Sequence, residues 1–88
     1  MSDGEGEGAA PTAVSVLDLL VTSLVDEPDA VRIDPIEQGD RVRLEVRVGP
    51  DDMGRVIGKR GRVANAIRTV VRAAAVRDGV HVDVEFED

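Results

Sequence analysis

Two glycines three residues apart, Gly58 and Gly61, interrupt a stretch of helical character that runs from Met53 to Arg77. Glycine lacks a Cβ, so it reaches positive φ and lets a second backbone come close. The spacing predicts a tight turn between two helices, with the intervening Lys59 and Arg60 pushed into solvent. The second helix then opens on the turn with unpaired amides and the positive end of its dipole. Two cations, free amides and a positive dipole describe an anion site, with phosphate the natural guest. A bare G-x-x-G also reads as a helix C-cap at Gly58 followed by a plain turn at Gly61. The surroundings favour the anion site. Apolar Val56-Ile57 precede the turn, a helical apolar pattern follows it, and acid is excluded throughout.

Charge is segregated along the chain. Met53–Arg77 holds seven basic residues (Arg55, Lys59, Arg60, Arg62, Arg68, Arg72 and Arg77) and no Asp or Glu. That window carries +7 and the remainder −14, which together give the formal −7. A mononucleotide P-loop does not fit here, because it needs G-x-x-x-x-G-K-[ST] after a strand. Gly54 lies one residue too close to Gly58, and Arg60 stands where the magnesium-holding hydroxyl would be.

Eighty-eight residues predict one small domain with a modest core. There is no cysteine, hence no disulfide framework or thiolate metal site, and one His cannot assemble a metal cluster. No cofactor and no small-molecule substrate are expected. No apolar run approaches the ~20 residues of a membrane span. The N-terminus has no signal-peptide pattern, so a cytoplasmic location is expected. Phe86 is the only aromatic residue. Sheets that stack single-stranded bases on exposed rings need two or three of them. Nucleic acid would have to be held here by phosphate contacts and an aliphatic groove.

Met1–Thr12 is Gly- and acid-rich and reads as a disordered tail that aids solubility. The folded domain is expected over 13–88. Ala13–Val25 reads as a helix with Val16, Leu17, Leu20, Val21 and Leu24 on its apolar face. Ala30–Glu37 reads as a strand, placed at an edge or bulged by Pro35. After a turn at Gln38-Gly39-Asp40, Arg41–Val48 alternates cleanly and completes a hairpin. Asp51 or Asp52 is expected to N-cap the short helix that follows, a better reading of this pair than a catalytic or metal site. Arg62–Arg77 forms the second helix, with Val63, Ile67, Val70, Val71 and Ala74 on its apolar face. Asp78-Gly79 ends it, and Val80–Glu87 is the last strand, with His81 on its surface. The result is a two-layer α+β domain in the order α-β-β-α-α-β. The helical crossover is long enough for the last strand to pair in parallel with its partner.

Val56-Ile57-Gly58-Lys59-Arg60-Gly61, followed by Val63 and Ile67, resembles the core of a KH domain. The element order resembles the prokaryotic type II arrangement with its three-stranded sheet. The run DMGRVIGKRGRVANAIRTVVRAAA, with the lead helix and its SLVDEPDAV exit, is similar to the small single-domain bacterial KhpA (YlqC-like) group from Val14 to Asp88. One departure is Ala64, where KH domains often carry a large aliphatic; Val63 beside it supplies the bulk. The resemblance implies single-stranded RNA binding without catalysis, with the loop clamping about four nucleotides and an aliphatic groove holding the bases. By position, Gly58, Lys59, Arg60 and Gly61 would hold phosphates and Arg55 and Arg62 would flank them. Val56, Ile57 and Val63 would line the groove. The resemblance further implies an RNA chaperone or post-transcriptional regulator linked to cell elongation and division, pairing with itself and with a Jag-like KH partner, KhpB. Net acidity and the alanine-rich helix fit an alternative, a protein-interaction adaptor with little RNA binding of its own. No nucleophile–base pair, metal set or carboxylate dyad points to an enzyme.

Overall fold

Helix α1 (Pro11–Leu24) leads the chain, in a computed structural model that describes residues 9–87. It begins two residues earlier than periodicity predicts, so Pro11 and Thr12 belong to the domain rather than to a tail; residues 1–8 lie outside the described range. Pro11 supplies a helical φ and needs no amide partner at this position. The next two amides are capped from far away. Thr12 N–H donates to Asp78 Oδ1 at 3.0 Å and Ala13 N–H to Asp78 Oδ2 at 2.9 Å. Desolvation pushes the Asp78 carboxyl up, but the bonds from Ala13 and Thr12 outweigh it and hold the group below the usual carboxylate range.

Strands β1 (Arg32–Gln38) and β2 (Arg41–Arg47) form the expected antiparallel hairpin, from Arg32 opposite Arg47 to Gln38 opposite Arg41. The sheet order is β1-β2-β3, so Pro35 lies on an edge strand, where its missing N–H is tolerated. Strand β3 (His81–Phe86) pairs in parallel with β2, Leu44 opposite Val84. Between them run α2 (Met53–Ile57) and α3 (Arg62–Ala75), joined by the turn Lys59–Gly61. The chain therefore has the predicted α+β order, and it folds as three helices against a three-stranded mixed sheet.

Period-two alternation places Val42, Leu44 and Val46 of β2 and Val82 and Val84 of β3 beneath the helices, all buried. Leu17 and Val21 of α1, Val56 of α2 and Ile67 and Val71 of α3 close the core from above. Removing each such aliphatic from water contributes about 1.5–3 kcal/mol. Helix α3 is rotated relative to the sequence reading. Its buried stripe is Ala64, Ile67, Val71 and Ala75, at steps of three and four, whereas Val70 is 47% exposed. Ala64 and Ala75, left off the predicted apolar face, are both buried. Leu24, expected on the apolar face of α1, is also exposed.

Candidate nucleic-acid interface

Helix α2 is only five residues long and stops at Gly58, whose N–H closes the last turn on the Gly54 carbonyl at 2.9 Å. Gly58 has φ 76° and ψ 171°, a conformation essentially restricted to glycine. A Cβ there would also stand 2.8 Å from Cβ of Val63 and overlap its Cγ2. Gly58 is thus the point where the turn folds back onto the first residues of α3. Gly61 differs: it is left-handed at φ 72° and ψ 16°, but open space surrounds it. Arg60 between them is the only non-glycine with positive φ among the described residues (φ 59°). An arginine held left-handed at a turn marks a backbone conformation that the rest of the structure enforces.

Lys59, Arg60 and Arg62 are exposed, and none makes an ion pair with a described residue. No acidic side chain lies in the first turn of α3, and no side chain caps it. The turn and the start of α3 therefore present uncompensated positive charge with the helix dipole behind it.

Arg55 is different. Its Nη2 donates to Asp26 Oδ2 at 2.9 Å, and its Nε lies 3.2 Å from Asp52 Oδ1. The Asp52 carboxylate, 1% exposed, also accepts the Asp26 N–H on Oδ1 and the Glu27 N–H on Oδ2, each at 3.1 Å. Asp52 therefore does not cap its own helix. It ties the exit of α1 to the start of α2, which fixes the strut that carries the turn.

The remaining predicted positions divide. Ile57 and Val63 are half-buried beside the turn. Val56 has no exposure at all and belongs to the core, so it cannot line a groove. Sequence reasoning gave no place to the polar crevice between α3 and the edge strand β3. There Arg68 Nε donates to the Val84 carbonyl at 3.0 Å, Arg68 Nη1 donates to Asn65 Oδ1 at 3.1 Å, and the guanidinium lies 5.6 Å from the Phe86 ring centroid. The spacing of Asn65, Arg68 and Arg72 along one side of α3 was the available clue.

Among the described residues, no helix is long and apolar enough to cross a membrane. Comparison with solved structures finds an Era variant of Aquifex aeolicus bound to GDP.AlF4⁻, at TM-score 0.62 and 21% identity, covering 84% of this chain and 29% of that one. Era in complex with MgGDPNP and nucleotides of 16S ribosomal RNA matches equally well, over 84% of this chain and 28% of that one. The chain spans under a third of either structure, and the likeness at that identity shows the fold alone. Sequence comparison reaches further. The RNA-binding protein KhpA of Clostridium acetobutylicum is 49% identical over 71 residues, covering 81% of this chain and 95% of that protein. KhpA of Mycobacterium tuberculosis is 46% identical over 75 residues, covering 85% and 92%. KhpA of Halalkalibacterium halodurans is 42% identical over 74 residues, covering 84% and 97%. Each of these relatives is named as an RNA-binding protein, not as an enzyme. The profile described as KhpA/KhpB, KH domain matches residues 15–86, from α1 through the last residue of β3. With the turn at 58–61 in its expected place between α2 and α3, the chain belongs to the KhpA/KhpB family of KH domains.

Proposed function

We propose that the chain is a non-catalytic binder of single-stranded RNA whose grip is the turn Gly58–Gly61. One observation carries the reading: Lys59 and Arg60 project from a left-handed turn at the start of a 14-residue helix, exposed and without acidic partners among the described residues. Gly58 and Gly61 let the sugar–phosphate chain approach, Arg62 adds a third cation, and Ile57 and Val63 offer an aliphatic wall to the bases. Arg55 flanks the site but spends its charge on Asp26 and Asp52. The names of the relatives support RNA as the ligand. A cytoplasmic RNA chaperone or post-transcriptional regulator, linked to cell elongation and division, is the physiological role that fits. A salt titration tests the binding mode. Each phosphate neutralised on a single strand contributes about −0.7 to the slope of log K against log salt, so three cations give about −2. Affinity independent of salt would contradict the proposal.

A second reading is favoured by apolar exposure. Leu19 is 65%, Val70 47% and Val76 77% exposed, on α1, on α3 and just beyond α3. Such surface suits pairing with a second copy or with a KhpB-type KH protein. Light scattering expects a dimer mass; a monomer at all concentrations that also captures no KH partner removes this reading.

A further inference from the structure

Asn65, Arg68, Arg72 and Val76 follow one another at steps of three and four, so they share one crest running from α3 into the turn after it. That crest borders β3, and β3 is an edge strand. Arg68 spans the crevice between them midway, anchored on the Val84 carbonyl and on Asn65. Both hydrogens of its Nη2 remain without a partner among the described residues. At the end distant from the turn, the crevice opens into a cavity of about 390 Å³, between Arg72 and Val76 on one side and Gly79, Val80 and His81 on the other, with Arg41 at its margin.

The charges in this cavity are unequal in availability. Arg41 is committed, donating from Nε and Nη2 to both oxygens of Asp83 at 3.0 and 2.8 Å. The Arg41 hydrogen bonds hold the Asp83 carboxyl below the usual range, with the charges of Arg72 and His81 acting the same way. Asp40 lies near Arg41 as a further acid. Arg72 makes no ion pair with a described residue, and it is exposed, as is His81. Beside Arg72 stands Val76, 77% exposed, an aliphatic surface in a concave and otherwise charged place. A cation, an imidazole and an apolar wall at one spot match the phosphate and the base of a single nucleotide.

We infer that RNA held at the turn reaches beyond the groove beside it to this cavity, where Arg72 and His81 hold an additional nucleotide against Val76 and Val80. Gly61 and Arg72 are separated by eleven residues of helix, about 16 Å at 1.5 Å per residue. A strand gripped at the turn must run most of the length of α3 to reach the cavity, so an RNA that only fills the clamp engages it less well than a longer one. This inference rests on the RNA reading above.

Fluorescence anisotropy with oligouridylates of increasing length tests it. The native protein gains affinity between four and about eight nucleotides. The double variant Arg72→Glu/His81→Ala, with Arg41 left intact so that Asp83 keeps its partner, loses that gain. It binds the longer RNA about tenfold more weakly and leaves the four-nucleotide affinity unchanged. Arg72→Gln lowers the salt slope for the longer RNA by about 0.7, and Arg72→Lys restores it. Both positions are on the surface, and an unchanged Tm verifies the fold. The same length dependence in native and double-variant protein overturns the inference, as does an equal loss on short and long RNA. Lys59→Asp/Arg60→Asp separates the two levels. If it abolishes binding while the cavity variant changes nothing, the extended path alone fails. If it binds normally, the grip at the turn fails and the extension falls with it.

Discussion

Arg55 and the pair Lys59-Arg60 lie within five residues of each other, yet they meet opposite surroundings. Arg55 sits on α2 between two carboxylates, one exposed and one almost fully buried. Lys59 and Arg60 sit on the turn, where no described acid approaches them. The same charge is therefore structural in one place and available in the other. The difference comes from Asp26 and Asp52, which converge on Arg55 from the two ends of a connection that encloses the whole β-hairpin. A cluster of basic residues in a sequence counts cations; the fold decides which of them a ligand can use.

The largest effect that would break this contrast comes from Asp52. Its carboxylate satisfies two backbone amides besides Arg55, and each orphaned amide costs about 1–3 kcal/mol. Asp52→Ala is expected to destabilise the domain by about 4 kcal/mol in urea unfolding; a loss below about 1 kcal/mol would mean that the tie is dispensable. Gly58→Ala comes next. The glycine-only backbone and the overlap with Val63 together cost about 3 kcal/mol. Gly61→Ala, in open space, costs about 1 kcal/mol, so equal Tm shifts for the two would contradict the account of the turn. Arg55→Ala should change RNA affinity by less than about twofold, because an exposed, already paired cation adds little to phosphate binding. A loss as large as that from Lys59 or Arg60 would erase the distinction between held and free cations.

The smallest expected effect is on pH dependence. Asp78 and Asp83 both have depressed carboxyl pKa values in the folded state. Their contributions are complete above the ordinary value of 3.8 and disappear as pH falls through the lower folded values. Both contributions are therefore lost on the acid side, and Asp78→Asn should shallow that loss. An unchanged acid limb in the variant would show that the cap on α1 carries no linkage.

How much of this was legible follows from where each determinant lies. The alternation of Val42, Leu44 and Val46 specifies a half-buried strand within a few residues, so β2 and its hairpin could be read directly. The turn was legible for the same reason: Gly58, Lys59, Arg60 and Gly61 are contiguous, and their chemistry is local. The backbone amides held by Asp52 and Asp78 are 25–26 and 65–66 residues distant. Nothing near either aspartate indicates that it caps another element, so Asp52 read as a cap for its own helix. The early start of α1 was hidden likewise, since its cap is Asp78. Val70 and Val71 are equally apolar neighbours, and only packing against a filled core decides which faces inward. Val56 read as groove because it adjoins the turn, but a short helix has one inward position and Val56 takes it. Arg68 was counted as a charge; its bond to the Val84 carbonyl depends on β3 being an edge strand.

On the proposed reading, the uncompensated cations of the turn hold an unpaired strand by its phosphates. Measuring the RNA affinity of Lys59→Asp/Arg60→Asp beside the native protein tests it most directly. A loss of about a hundredfold or more, some 2.7 kcal/mol, is expected, with Tm unchanged because neither side chain has a described partner to lose. Native affinity in a folded double variant would contradict it.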